Sequence, residues 1–151
     1  MASPEPNNLT WLELPAGHES FTSLRDHVLN RGAELSLAGE TLARIELVLE
    51  EMLVNVIEYA YPRPSPAGPG PVRVGCGLDG QGRFRLVIED HGPAFNPLER
   101  PSPDVLADMD ERQVGGLGIF LAQEMADDLG YRRTDGRNSL TASFTPRTPT
   151  V

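Results

Sequence analysis

Three groups of residues have types and spacings that could do chemistry. The first is Glu51-Met-Leu-Val-Asn55, a carboxylate and a carboxamide four residues apart, which share one side if the segment is helical. A carboxylate so placed can accept a proton from an attacking hydroxyl or water, and an amide oxygen is a neutral hard ligand suited to Mg²⁺. The same pair on a solvated helix face needs no function. The second is Asp90-His-Gly-Pro-Ala-Phe95, at the end of an alternating apolar run. A buried carboxylate there can accept a hydrogen bond from the exocyclic amino group of adenine, and Gly92 lets the backbone approach a flat ring. An Asp followed closely by Gly is equally a plain turn. The third is Gly115-Gly116-Leu117-Gly118, which opens an apolar helical pattern. Free N–H groups at a helix start attract phosphate oxygens, and glycines let them come close. In isolation such a run is as well explained as a linker.

The elements that must carry these groups follow from periodicity. Leu9 to Leu14 reads as a strand bounded by Pro15 and Gly17, and His18 to Arg31 as a helix stopped at Gly32. Leu42, Ile45, Leu49, Met52 and Val56 alternate steps of three and four, the strongest pattern in the chain, ending near Tyr61-Pro62. Glu51 and Asn55 lie beside that seam. A Pro-rich surface loop, 62–71, leads into a hairpin with apolar residues at Val72, Val74, Cys76, Leu78 and then Phe84, Leu86, Ile88, turning at Asp79 to Gly82. Residues 93–114 form a long Pro- and Asp-rich connection. A helix from Gly115 is expected to bury Leu117, Phe120, Leu121, Met125 and Leu129 and to close at Gly130. Tyr131 to Thr134 and Leu140 to Phe144 make a last hairpin around a turn at Asp135 to Asn138. The order implies an α/β, two-layer arrangement: helices on one face of a mixed, mostly antiparallel sheet. One domain, 9–146, is expected between a flexible start at 1–8 and a flexible tail at 147–151.

Composition narrows the function. All thirteen basic residues are arginine, against 22 acidic ones, for a net charge of −9. That charge repels phosphate backbones and anionic membranes, so neither direct nucleic-acid nor membrane binding is expected. The absence of lysine excludes Walker-type phosphate loops, the lysine of eukaryotic-type kinases and Schiff-base chemistry. No apolar run reaches bilayer length and the first residues are polar, which places the protein in the cytoplasm. The lone Cys76, inside an alternating strand, reads as a small buried apolar residue. His18, His27 and His91 lack metal-ligand spacing.

Taken in order, a helix with Glu-x-x-x-Asn, a strand ending in Asp-x-Gly-x-x-Phe, a long connection and Gly-x-Gly on a helix start resembles the nucleotide-binding boxes of the GHKL ATPase superfamily, whose ATP-binding architecture is the Bergerat-type fold. The resemblance spans residues 9–146. The run Gly115-Gly-Leu-Gly-Ile-Phe-Leu-Ala122, with no phosphoacceptor-histidine segment before it, is similar to the RsbW-type anti-sigma-factor serine/threonine kinases. The resemblance implies that Asn55 coordinates Mg²⁺, that Glu51 is the general base for a serine hydroxyl, that Asp90 and Gly92, with Phe95, hold adenine, and that Gly115 to Gly118 take the phosphates. Residues 96–114 would be the ATP lid. Within it Arg112 is the best-placed cation for phosphate, although a surface arginine serves equally as a reading. Two positions depart from the family: Arg137-Asn138 stands where many relatives have Gly-Thr, and Tyr59 where a His is common.

The family's partners follow from the same resemblance: a STAS-type anti-anti-sigma protein as phosphoacceptor, a sigma factor, and a second copy in a homodimer. Trp11 on the first strand could be core or interface. Two other functions use the same pocket. One is a nucleotide-gated binding module without catalysis, presenting Val105, Leu106 and Met109 on the lid. The other is the catalytic domain of a histidine kinase. Glu51 favours the kinase, because a binding module needs no base beside the γ-phosphate.

Overall fold

In a computed structural model, residues 9–62, 68–98 and 116–146 are described. The expectations for both chain ends and for most of the lid lie outside them. The chain forms β1 (Thr10–Pro15), a one-turn 3₁₀ helix (His18–Ser20), α1 (Phe21–Glu34), α2 (Gly39–Tyr59), β2 (Pro71–Leu78), β3 (Phe84–Asp90), α3 (Gly116–Met125), β4 (Asp128–Thr134) and β5 (Arg137–Phe144). The sheet has five strands in the order β1-β2-β3-β5-β4, and every ladder is antiparallel.

Strand alternation sends Val72, Val74 and Cys76, Leu86 and Ile88, and Leu140 and Ala142 to one face. There they meet Leu24 and Val28 of α1 and Ile45, Leu49 and Met52 of α2 in a single core. Phe84 and Phe144 pair directly across β3 and β5, both fully buried. Cys76 belongs to this core, and burial pushes its thiol up to about 12. The opposite face of the sheet carries Trp11, whose ring lies over Gly75 so closely that a Cβ there would sit 2.7 Å from it. The Arg73 guanidinium stacks on the same ring at 3.9 Å and pairs with the buried Glu89 at 2.8 Å.

Several local expectations are corrected. Helix α1 does not stop at Gly32 but runs to Glu34. Gly32 is buried against Leu42, where a Cβ would come within 2.5 Å of a methyl group, and the reversal falls at Ser36 with φ 59°. Helix α3 ends at Met125, and Gly130 lies inside β4 opposite Thr141. The buried positions of α3 and its exit are Ile119, Ala122 and Ala126, whereas Phe120 and Leu121 are exposed at 46% and 43%. The last hairpin turns on two residues only, Asp135 and Gly136, both with positive φ, so Arg137 and Asn138 belong to β5.

Candidate functional site

The core-facing side of the sheet changes character at one end. Continuing the apolar rows, Ile88 and Leu140 give way to Asp90 and Asn138, which are direct cross-strand partners and both 7% exposed. Helix α2 passes above them, and between helix and strand ends lies a cleft of about 280 Å³. Its walls include Met52, Asn55, Asp90, Phe95, Tyr131 and Asn138. The cleft thus has an apolar body and a few polar groups at fixed points, the usual construction of a small-molecule site.

Asp90 is held firmly. Its Oδ1 accepts hydrogen bonds from the Gly92 backbone N–H at 2.8 Å and from Asn138 Nδ2 at 2.9 Å. Asn138 is the residue that sequence reasoning set aside. Its amide also donates to the Pro93 carbonyl at 2.9 Å, and its Oδ1 accepts from the Phe95 N–H at 3.2 Å and the Tyr131 hydroxyl at 2.5 Å. Arg133 closes the same turn by donating to the Gly92 carbonyl at 2.7 Å. Gly92 has a local reason of its own. A Cβ there would lie 2.1 Å from the Ala60 carbonyl oxygen, so glycine is needed to press the turn against the end of α2. The expected approach to a flat ring is therefore not the constraint visible on Gly92. Phe95 is 44% exposed at the cleft.

The other end is borne by helices. Asn55 reaches the cleft half-buried, and its side chain makes no hydrogen bond with the described residues. One turn earlier, Glu51 lies against the start of α3: a Cβ on Gly118 would fall 2.0 Å from its Oε2. The Glu51 carboxylate has no ion pair among the described residues. Its neighbour Glu50 has a carboxyl raised above the usual range, chiefly by burial and then by the Glu46 carboxylate. The packing that sets this contact is tied further along, where Arg44 Nη1 donates to the Met125 carbonyl at 3.0 Å. Gly116 and Leu117 fall in the first turn of α3, while Arg112 and Gly115 lie outside the described residues. The structure therefore brings together Asn55, Asp90 and Phe95 at the cleft, with Gly92 bonded to Asp90 but not lining it, and sets Glu51 against Gly118.

This arrangement has relatives. Residues 14–144 match the histidine kinase-like ATPase domain. The chain belongs to that family. Among curated members of related sequence, the serine/threonine-protein kinase BtrW of Bordetella bronchiseptica is 30% identical over 97 residues, 64% of this chain and 66% of that protein. The serine-protein kinase RsbW of Bacillus thuringiensis is 21% identical over 140 residues, 90% of this chain and 84% of that one. The RsbU and RsbW domains of Rv1364c from Mycobacterium tuberculosis superpose with a TM-score of 0.67 at 17% identity, over 95% of this chain and 34% of that one, which speaks to fold. The Asn138 side chain, at the position expected to depart from the family pattern, is bonded directly to Asp90.

The donor set fits a nucleotide with a divalent ion. Asn55 lines the cleft with an amide side chain that makes no hydrogen bond with the described residues, and Gly118 lets the Glu51 carboxylate lie against the start of α3 where a side chain would displace it. Among the described residues no group of three His, Cys, Asp or Glu side chains is gathered as a metal cage, so an ion here would take most of its ligands from phosphate and water. His18 and His27 are engaged at the surface, with Glu58 at 2.9 Å and the Thr10 carbonyl at 2.9 Å. No helix among the described residues is long and apolar enough to cross a membrane.

Proposed function

We propose that this chain is an ATP-dependent serine/threonine protein kinase and anti-sigma factor that phosphorylates a STAS-type anti-anti-sigma protein. The observation that carries the reading is the contact of Glu51 with Gly118. It sets a carboxylate that has no ion pair among the described residues at the start of a helix, one turn from the Asn55 amide at the cleft wall. The names of the relatives, serine and serine/threonine kinases, support protein hydroxyls as acceptors.

In this reading the adenine amino group donates to Asp90, Phe95 borders the base, and the phosphates run toward Gly115, Gly116, Leu117 and Gly118, with Arg112 as an added cation. Asn55 holds Mg²⁺, which supplies charge neutralisation for the phosphates. Glu51 takes the proton of the acceptor hydroxyl while its oxygen bonds to the γ-phosphorus and the bond to the β-phosphate oxygen breaks, releasing ADP. Sequestration of a sigma factor, a homodimer and a cytoplasmic location belong to the same proposal.

The test is incubation of the chain with radiolabelled ATP and its STAS partner, scored for phosphoserine or phosphothreonine on that partner. Transfer that requires a divalent ion is expected, because a lysine-free chain of net charge −9 compensates phosphate charge poorly. ATP binding without any transfer would leave a nucleotide-gated binding module instead. Asn55→Ala should abolish the Mg²⁺ dependence of ATP affinity, and an unchanged dependence would remove the metal role.

A further inference from the structure

We propose that Asn138 is a positioning residue for base selection: it locks Asp90 so that a single carboxylate oxygen is offered to the cleft, as an acceptor for a 6-amino group. This rests on the reading of Asp90 as the base acceptor.

The hydrogen-bond count leads to it. Asn138 has two amide hydrogens and one carbonyl oxygen with two lone pairs. The hydrogens go to Asp90 Oδ1 and the Pro93 carbonyl, each at 2.9 Å, and the oxygen accepts from Phe95 N–H and the Tyr131 hydroxyl. The side chain is saturated and has nothing left with which to read a base. Its orientation is fixed by its partners, since turning the amide over would set its oxygen against the Asp90 carboxylate and the Pro93 carbonyl. On Asp90, Oδ1 receives both Asn138 and Gly92 N–H, whereas Oδ2 has no hydrogen bond with the described residues. The carboxylate cannot rotate without breaking both bonds. One acceptor position then remains, inside a mostly apolar cleft.

Such a position accepts a ring amino group and rejects a ring carbonyl, because two acceptors facing each other in a dry site leave both unpaired. A threonine hydroxyl at this place would have one hydrogen to give and could not tie Asp90 and the Pro93 carbonyl together. The amide does both, joining the acceptor to the turn that leads into the long connection.

The experiment is calorimetric titration of the full chain with Mg²⁺ and three nucleotides: ATP, purine riboside triphosphate, which lacks the amino group, and inosine triphosphate, which carries a carbonyl there. The parent should prefer ATP over the purine analogue by about tenfold or more, the worth of a hydrogen bond to a charged group, and should bind the inosine nucleotide least. Asn138→Ala removes the donor without setting a second carboxylate, which would hold a proton and donate it, against Asp90. It should erase the preference for ATP while holding the affinity for the purine analogue. In an Asp90→Asn background the same change should alter the preference no further, since Asn138 acts through Asp90. Equal loss of affinity for ATP and the purine analogue would mean Asn138 is only structural and would overturn the proposal, as would an undiminished ATP preference. If Asp90→Asn alone keeps the parental preference, the reading of Asp90 fails instead. Asn138→Leu gives the same comparison should the alanine variant not fold.

Discussion

The two ends of the site are built on opposite terms. At the strand end, Asp90, Asn138, Tyr131 and Arg133 are tied to one another and to the turn at Gly92 to Phe95, so the acceptor is set before any ligand arrives. At the helix end, Asn55 and Glu51 have no hydrogen bonds with the described residues, and the one close contact is between a flexible carboxylate and a glycine. A rigid site selects, while a site with unengaged groups waits for charge that a ligand must bring. Under the proposed function, the contrast puts recognition on the sheet and reaction on the helices.

Substitutions can break this contrast, and the largest effect is expected at Glu51. Glu51→Gln keeps the shape but removes the base, so phosphotransfer should slow by roughly 10²-fold or more with ATP binding retained. A parental rate in a transfer time course would sink the base assignment. The two glycines give the sharpest test of rigidity. At Gly92 an added methyl meets the Ala60 backbone carbonyl, which cannot move cheaply, so Gly92→Ala should lower stability by about 1–3 kcal/mol in a denaturant titration. At Gly118 the same methyl meets only the end of the Glu51 side chain. Gly118→Ala should leave the denaturation midpoint near the parent value while displacing the carboxylate, with transfer down about tenfold or more. If the two variants lost equal stability, the distinction between a rigid and a compliant end would not hold.

The smallest effect concerns a turn remote from both ends. Burial alone would raise the Asp79 carboxyl, but hydrogen bonds from the Arg83 and Gln81 backbone N–H groups and the nearby Arg83 charge outweigh it and hold the group below its ordinary value. A lowered folded-state value means the unfolded chain binds more protons, so this contribution is present above the ordinary carboxylate value and lost as pH falls from there through the lower folded-state value. Asp79→Asn should therefore flatten the acid side of a stability profile slightly. An unchanged profile would argue against the turn as a contributor.

Much of this arrangement is legible in the sequence, and the exceptions share a cause. The α2 seam and the β2–β3 hairpin follow from spacing alone, because their apolar residues face one core. Gly32 and Gly130 misled as helix stops. Gly32 is needed for close packing on Leu42 and Gly130 sits in a strand, neither of which a local rule detects. On α3, bulky Phe120 and Leu121 suggested the buried face, yet Ile119 and the small Ala122 and Ala126 are the buried positions. Asn138 escaped because the last turn was read as four residues. Taking Asp135-Gly136 alone as the two-residue turn moves Asn138 into β5, where it pairs with Asp90. The candidate residues that spacing singled out, Glu51, Asn55, Asp90 and Gly118, lie at element ends or one turn apart, where local pattern and tertiary position coincide.

The stack of Trp11 on Gly75 and Arg73 lies across the sheet from the cleft, and it holds the sole indole of the chain. Its ultraviolet emission is therefore insulated from a base bound beside Asp90 by the thickness of the sheet. A nucleotide that only fills the cleft should leave that signal unchanged. Any quenching or spectral shift during titration would report an event on the outer face, such as a change in the Arg73 stack or the arrival of another molecule there.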